Sequence, residues 1–168
     1  KRIMQCILDH IDFYNVDIKT AFEIFKVGSK LITDCQTLKR VVKEIIEDYS
    51  KQNCWYLELR STPKIIGEIK TKEMYIDTVV EAINEMKVEI KTICVKFLIS
   101  VNRTAYSETA KEAVDLMQKY KDPVVGLELS GDPRSGDFNN FVSEFKRAQD
   151  LGFKVTLHCA ETSEQSDN

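Results

Sequence analysis

The run Lys154-Val155-Thr156-Leu157-His158-Cys159-Ala160-Glu161 carries a histidine and, three positions on, a glutamate. Its first four residues have strand-forming character, so the pair falls where a strand gives way to a loop. Imidazole is the commonest side-chain ligand for zinc, and a carboxylic acid beside it can hand a proton to a substrate. The spacing therefore suits one metal ligand, His158, and one acid, Glu161, at a single strand terminus. A hydrogen-bonded polar residue at a strand end would look the same, and the choice turns on whether other strand ends converge on this one.

The elements that must position the pair read as successive βα units. Residues 1–30 contain a helix on which Ala21, Ile24, Phe25 and Gly28 recur at helical spacing; His10 lies there with no ligand-type residue at i+3 or i+4 and receives no role. Thr33 and Gln36 form a T-x-x-Q capping box for a helix to Lys51, with Leu38, Val41, Val42, Ile45 and Tyr49 on its apolar face. A strand over 54–59 runs into Arg60-Ser61-Thr62-Pro63-Lys64, where proline lacks the donor a ladder needs. From Thr71 the helical period returns through Met74, Ile76, Val79, Val80, Ile83 and Met86, followed by a strand over 92–101 apolar enough for burial on both faces. Ser107 is placed to cap a helix with Ala110, Ala113, Val114 and Met117 inward, and Asp122-Pro123 stops it. The third strand spans 124–129. Asp137 then caps a helix with Phe138, Phe141, Val142, Phe145 and Ala148 inward, Gly152 ends it, and the fourth strand spans 154–158.

Strand centres near Leu57, Phe97, Leu127 and Thr156, separated by helices, predict an α/β fold with a parallel sheet. No G-x-G-x-x-G follows any strand, which argues against a dinucleotide-binding domain. In a (β/α)8 barrel the functional residues gather at the C-terminal ends of the strands. Here those ends carry Glu58 and Arg60, Asn102, Gly131 with Asp132, and His158 with Glu161. Glu58 and Arg60 alternate with leucines, so they share a face and are expected to pair. A closed barrel needs about 250 residues. The 168 residues here predict an incomplete TIM-type barrel of about four parallel strands with outer helices, one partial domain over 1–168. The start at Lys1 agrees with a central fragment.

Net charge is −3, with 43% hydrophobic and 30% charged residues, so no basic footprint for nucleic acid or an anionic membrane is present. The five cysteines are odd in number and widely spaced, and read as reduced thiols of a cytoplasmic protein. No apolar run approaches the ~18 residues of a membrane span.

Three ordered segments resemble motifs of the adenosine deaminase family of metallo-dependent hydrolases. Tyr56-Leu57-Glu58-Leu59-Arg60-Ser61-Thr62-Pro63 resembles its E-x-R segment. Gly126-Leu127-Glu128-Leu129-Ser130-Gly131-Asp132-Pro133 resembles its G-x-D-x-x-G strand, and Thr156-Leu157-His158-Cys159-Ala160-Glu161 its T-x-H-A-x-E type motif. The Ser-Thr-Pro and Leu-Ser-Gly-Asp-Pro stretches are most similar to the adenosine deaminase-like branch, which acts on N6-methyl-AMP. That resemblance implies a zinc-dependent, cytoplasmic, monomeric enzyme that converts N6-methyl-AMP to IMP and methylamine. It has a small purine nucleotide for its partner and neither nucleic acid nor membrane. It further implies His158 as one zinc ligand, Glu161 as the proton donor kept acidic by burial, Gly131 as a backbone contact to the purine, Asn102 as a weaker substrate contact, and Ser61, Thr62, Pro63 and Lys64 as a phosphate-contacting turn. The family's H-x-H zinc pair, its catalytic histidine and its Asp-Asp pair have no counterpart in these 168 residues, so the chain alone is expected to be inactive. Adenosine or AMP as substrate, a non-catalytic nucleotide-binding paralogue, and an ordinary βα protein are the alternatives.

Overall fold

The computed structural model describes residues 16–120 and 122–162; the expectations for His10 and the first half of the opening helix lie outside them. Five α-helices and four strands follow one another in the described chain: α1 (Ile18–Ser29), α2 (Cys35–Lys51), β1 (Tyr56–Ser61), α3 (Lys72–Glu89), β2 (Cys94–Asn102), α4 (Ser107–Met117), β3 (Val124–Ser130), a 3₁₀ turn (Phe138–Asn140), α5 (Val142–Asp150) and β4 (Lys154–Leu157). The sheet is parallel throughout in the order β1-β2-β3-β4, as the sequence predicts.

The helices form along apolar stripes, and α1, α2 and α3 also have side-chain caps at their starts. Leu38, Val42 and Ile46 of α2 recur every fourth residue and are buried, while Tyr49, expected on the same face, is exposed. The α2 cap is Asp34 and not the expected Thr33: Asp34 Oδ1 accepts from the Thr37 amide at 2.7 Å and Oδ2 from the Thr37 hydroxyl at 2.8 Å. A carboxylate adds charge to the hydrogen bond at the positive end of the helix, an advantage a hydroxyl lacks. Thr71 caps α3 through the Met74 amide as predicted. Ser107 does not cap α4; Tyr106 holds the cap position with no side-chain bond, and the Ser107 hydroxyl turns to Glu108. Asp137 caps the 3₁₀ turn rather than a full helix, which leaves Phe138 and Val142 partly exposed.

The strand faces differ. Leu57 and Leu59 of β1, Phe97, Ile99 and Val101 of β2, and Leu127 and Leu129 of β3 join the buried stripes of α2 to α5 in one hydrophobic cluster. The opposite face carries Arg60, Ser100 and Glu128, and its alignment depends on register. A bulge at Phe97/Leu98 shifts β2 against β3, after which Leu98 faces Gly126 and Ser100 faces Glu128, itself opposite Thr156. At Gly126 a Cβ would stand 2.7 Å from the Lys154 carbonyl and 2.9 Å from Leu98 Cδ2, so only glycine lets β4 close on β3 at this level.

Two outcomes check this description. Phe97→Ala should cost about 3–5 kcal/mol in urea unfolding, because a fully buried ring leaves a cavity in the shared cluster. Asp34→Ala should lower the urea midpoint at neutral pH, while Gln36→Ala should leave it nearly unchanged. The Thr37 bonds hold the Asp34 carboxyl below its ordinary pKa. Its contribution is therefore present above the unfolded-state value and lost as pH falls through the depressed folded-state value, so wild type and Asp34→Ala should converge in acid.

Candidate active site

The residues singled out from the sequence sit at the C-terminal ends of the four strands, but their partners differ from those expected. Glu128, in the middle of β3, is 0% exposed. Its Oε1 lies 2.9 Å from His158 Nε2 and accepts from Arg60 Nη1, while Oε2 accepts from the Ser100 hydroxyl. Arg60 Nη1 also meets His158 Nε2. The second ring nitrogen of His158, Nδ1, stands 2.9 Å from Glu161 Oε1. Glu161 returns to the ring because Ala160 takes a positive φ of 54°, a left-handed conformation that costs an alanine about 1–2 kcal/mol and here closes a turn against the strand end.

The backbone of His158 is fixed as firmly as its ring. Its amide donates to the Leu129 carbonyl at 3.1 Å, carrying the β3–β4 ladder one residue past Leu157. Its carbonyl accepts from Arg103 Nη2. Arg103 is 8% exposed, donates its own amide to the Ser130 carbonyl at 2.8 Å, and has a buried Nε with no hydrogen-bond partner among the described residues.

Glu58 and Arg60 do not form the expected ion pair. Glu58 accepts from the Tyr56 hydroxyl at 2.7 Å, a bond that heads the influences pushing the phenol up to about 12, while the longer Arg60 reaches across two strands to Glu128. Glu161 was expected to be buried, yet it is exposed at the loop surface. The reason is local: the turn at Ala160 lays its side chain along the ring edge rather than under the strands.

The remaining candidates form two further groups. Ser61 shares a 2.7 Å hydrogen bond with the Tyr75 hydroxyl, Pro63 is buried, and Thr62 and Lys64 are half-buried in the same turn. Burial pushes the Lys64 ammonium below its ordinary pKa, with no ion-pair partner among the described residues to offset it. Gly131 and Asn102 adjoin each other. Asn102 Oδ1 accepts from the Thr104 amide at 3.0 Å and hydroxyl at 2.8 Å, and a Cβ on Gly131 would stand 2.4 Å from that oxygen.

Sequence reasoning missed Glu128, Ser100 and Arg103 as parts of this site. Glu128 lies between Leu127 and Leu129, and Ser100 between Ile99 and Val101, in strands predicted to be buried. A polar residue inside such a run must find a partner, and that is the signal that could have found both. Arg103 sits in a loop and carries no comparable signal.

Among the described residues no group of three or more His, Cys, Asp and Glu side chains could hold a metal ion, and both nitrogens of His158 face carboxylates. The described residues therefore do not by themselves fit a catalytic zinc. None of their helices is long and apolar enough to cross a membrane.

A four-stranded parallel sheet with helices between the strands and polar residues gathered at its C-terminal ends is the architecture of half a (β/α)8 barrel enzyme. The adenosine deaminase family model matches residues 4–166, and the chain belongs to that family. It is 34% identical over 154 residues to N6-Methyl-AMP deaminase-L of Xenopus laevis, covering 89% of this chain and 44% of that protein. The crystal structure of Arabidopsis ADAL complexed with IMP superposes with a TM-score of 0.79 at 32% identity, over 87% of this chain and 45% of that one. A more distant amidohydrolase from Burkhoderia ambifaria with bound Zn shares the fold, with a TM-score of 0.68 at 21% identity over 77% of this chain and 36% of that one. The chain spans about half the length of the curated relatives it matches.

Gly131 gives a direct check on the geometry. Its φ is +105° and a Cβ would strike the engaged Asn102 side chain, whereas Gly152, at φ +88°, has nothing within 4 Å of the same position. Gly152→Ala should cost only the left-handed strain of about 1–2 kcal/mol. Gly131→Ala should cost clearly more, read as a larger drop in thermal midpoint.

Proposed function

We propose that the whole protein to which this chain corresponds is a purine nucleotide aminohydrolase, acting on N6-methyl-AMP with water to give IMP and methylamine. The observation that carries the reading is the His158–Glu161 contact at the mouth of β4, with Nδ1 and Oε1 2.9 Å apart, within the matched family segment. In this reading Glu161 delivers a proton to the purine ring nitrogen N1 as water adds at C6, and methylamine leaves from the resulting tetrahedral carbon. Gly131 offers backbone to the purine; Asn102, already committed to Thr104, is the weaker substrate contact. The turn Ser61, Thr62, Pro63 and Lys64 receives the phosphate. Names of relatives support the nucleotide: the Xenopus protein is an N6-methyl-AMP deaminase and the Arabidopsis structure holds IMP.

Zinc dependence belongs to the proposal, with His158 as one ligand and the rest supplied from outside the described residues. A monomer in the cytoplasm, built as a single barrel domain of which residues 1–168 are part, completes it. Nucleotide binding without catalysis, with Gly131 and the turn of Ser61, Thr62, Pro63 and Lys64 holding the nucleotide, is the alternative reading. Metal analysis of the purified full-length protein separates the two.

The mutants of the full-length protein divide by role. His158→Ala should remove metal and activity together. Glu161→Gln should keep the metal and lose turnover by at least ~100-fold, the low end of what general acid catalysis contributes. Near wild-type turnover in metal-loaded Glu161→Gln would show that Glu161 is not the proton donor. Lys64→Ala should weaken binding of the nucleotide more than that of the nucleoside, since a half-buried ammonium gains most from an anionic partner. Because burial lowers the Lys64 pKa, nucleotide affinity should decline toward alkaline pH earlier than an exposed lysine would allow. Equal losses on nucleotide and nucleoside would make the turn merely structural.

A further inference from the structure

Tyr75 lies in the first turn of α3 and is 3% exposed, in the same hydrophobic cluster as Ile76, Val79 and Phe97. A phenylalanine would fill this space with no polar atom to satisfy, so the hydroxyl is the part that needs a reason. Its oxygen lies 2.7 Å from Oγ of Ser61, the last residue of β1 and the first of the turn Ser61, Thr62, Pro63 and Lys64. No other side chain of that turn has a hydrogen-bond partner among the described residues. This contact is therefore the one hydrogen bond from a turn side chain to the framework behind it.

The surroundings decide which oxygen donates. Tyr75 has no second hydrogen-bond partner among the described residues, so if Ser61 donated, the phenolic proton would stay buried with nothing to accept it. Burial also pushes the phenol above its ordinary pKa, and it keeps that proton at neutral pH. A hydroxyl carries one donor and two acceptor sites, so the half-buried Ser61 can accept from Tyr75 and still donate its own proton elsewhere. We propose that Tyr75 is a positioning residue for nucleotide binding: its phenol donates to Ser61 Oγ, holds that side chain against α3 and leaves the Ser61 proton for an oxygen of the nucleotide's phosphate. Tyr75 touches no substrate in this role and acts only through Ser61. A donor that is itself receiving a hydrogen bond is polarised by it, which suits an anionic acceptor. The inference rests on the reading of this turn as the phosphate site and adds what sets its geometry.

The test measures equilibrium binding of IMP, and of inosine, which lacks the phosphate, to the full-length protein by calorimetry. The wild type should bind IMP the more tightly. Tyr75→Phe keeps the ring and should weaken IMP binding about 2- to 10-fold, the range one hydrogen bond supplies, while inosine binds as before. Ser61→Ala should give a loss at least as large and equally confined to IMP, and adding Tyr75→Phe to it should change IMP affinity no further. A folded Tyr75→Phe variant that keeps wild-type IMP affinity, or loses IMP and inosine equally, would overturn the proposal and leave Tyr75 a packing residue. Losses that add in the double variant would overturn it too, because Tyr75 would then act by a route other than Ser61. If Tyr75→Phe does not fold, Ser61→Ala decides: a loss confined to IMP supports the proposal, and unchanged IMP affinity or an equal loss on both ligands overturns it. A wild type that binds IMP no more tightly than inosine would remove the phosphate reading of the turn and this inference with it. A preference for IMP that survives Tyr75→Phe intact removes only the role of Tyr75.

Discussion

A carboxylate with no exposed surface stays in a folded protein only if the structure brings donors to it, and Glu128 draws them from every other strand of the sheet: Arg60 from β1, Ser100 from β2 and His158 from the end of β4. The alignment needed for this is strict. Side chains along a strand alternate between faces, so a slip of one residue in any of the three pairings would send a donor into the hydrophobic cluster and leave the carboxylate uncompensated. The bulge that brings Ser100 opposite Glu128 and the glycine at 126 that lets β4 approach are thus requirements of the same interaction.

The sheet divides its labour between its faces. One is apolar except at Ser61, which bonds Tyr75 of α3, and closes with α2 to α5 through Phe97, Ile99, Val101, Leu127 and Leu129. The other becomes polar toward the C-terminal ends, where chain turns at Gly131 and Ala160 bring loops back across the strand mouths. Salt links on the helix surface, such as Lys39 and Lys43 to Glu85, join α2 to α3 outside this arrangement and are worth little individually. Position in the site therefore comes from the sheet, and stability comes mainly from its other face.

How much of this was legible in the sequence depends on whether the cause was local. Strand centres, the order of the sheet, the inner face of α4 and most of that of α3 followed from the spacing and order of apolar segments, although Met74 of α3 is exposed and Tyr75 is buried in its place. Cap identity was less legible at Thr33 and Ser107, where a neighbouring residue competes for the same backbone amides and only geometry decides between them. The pairing of Glu58 with Arg60 misled for a similar reason. Residues two apart on a strand share a face, but Arg60 is long enough to reach two strands away, and Tyr56 was there to satisfy Glu58.

The three segments that resemble one family each come from a separate stretch of the chain. The structure makes them one object. Arg60 lies in the first, Glu128 in the second, and His158 with Glu161 in the third, and hydrogen bonds run continuously from one to the next. Each segment thus contributes a strand that must be in register, and their polar side chains meet at Glu128, the one member of the set that is fully buried. Sequence adjacency could reveal the histidine and its glutamate, three residues apart. It could not reveal the carboxylate 30 residues earlier that holds the opposite side of the ring, since that contact exists only once β3 and β4 lie side by side.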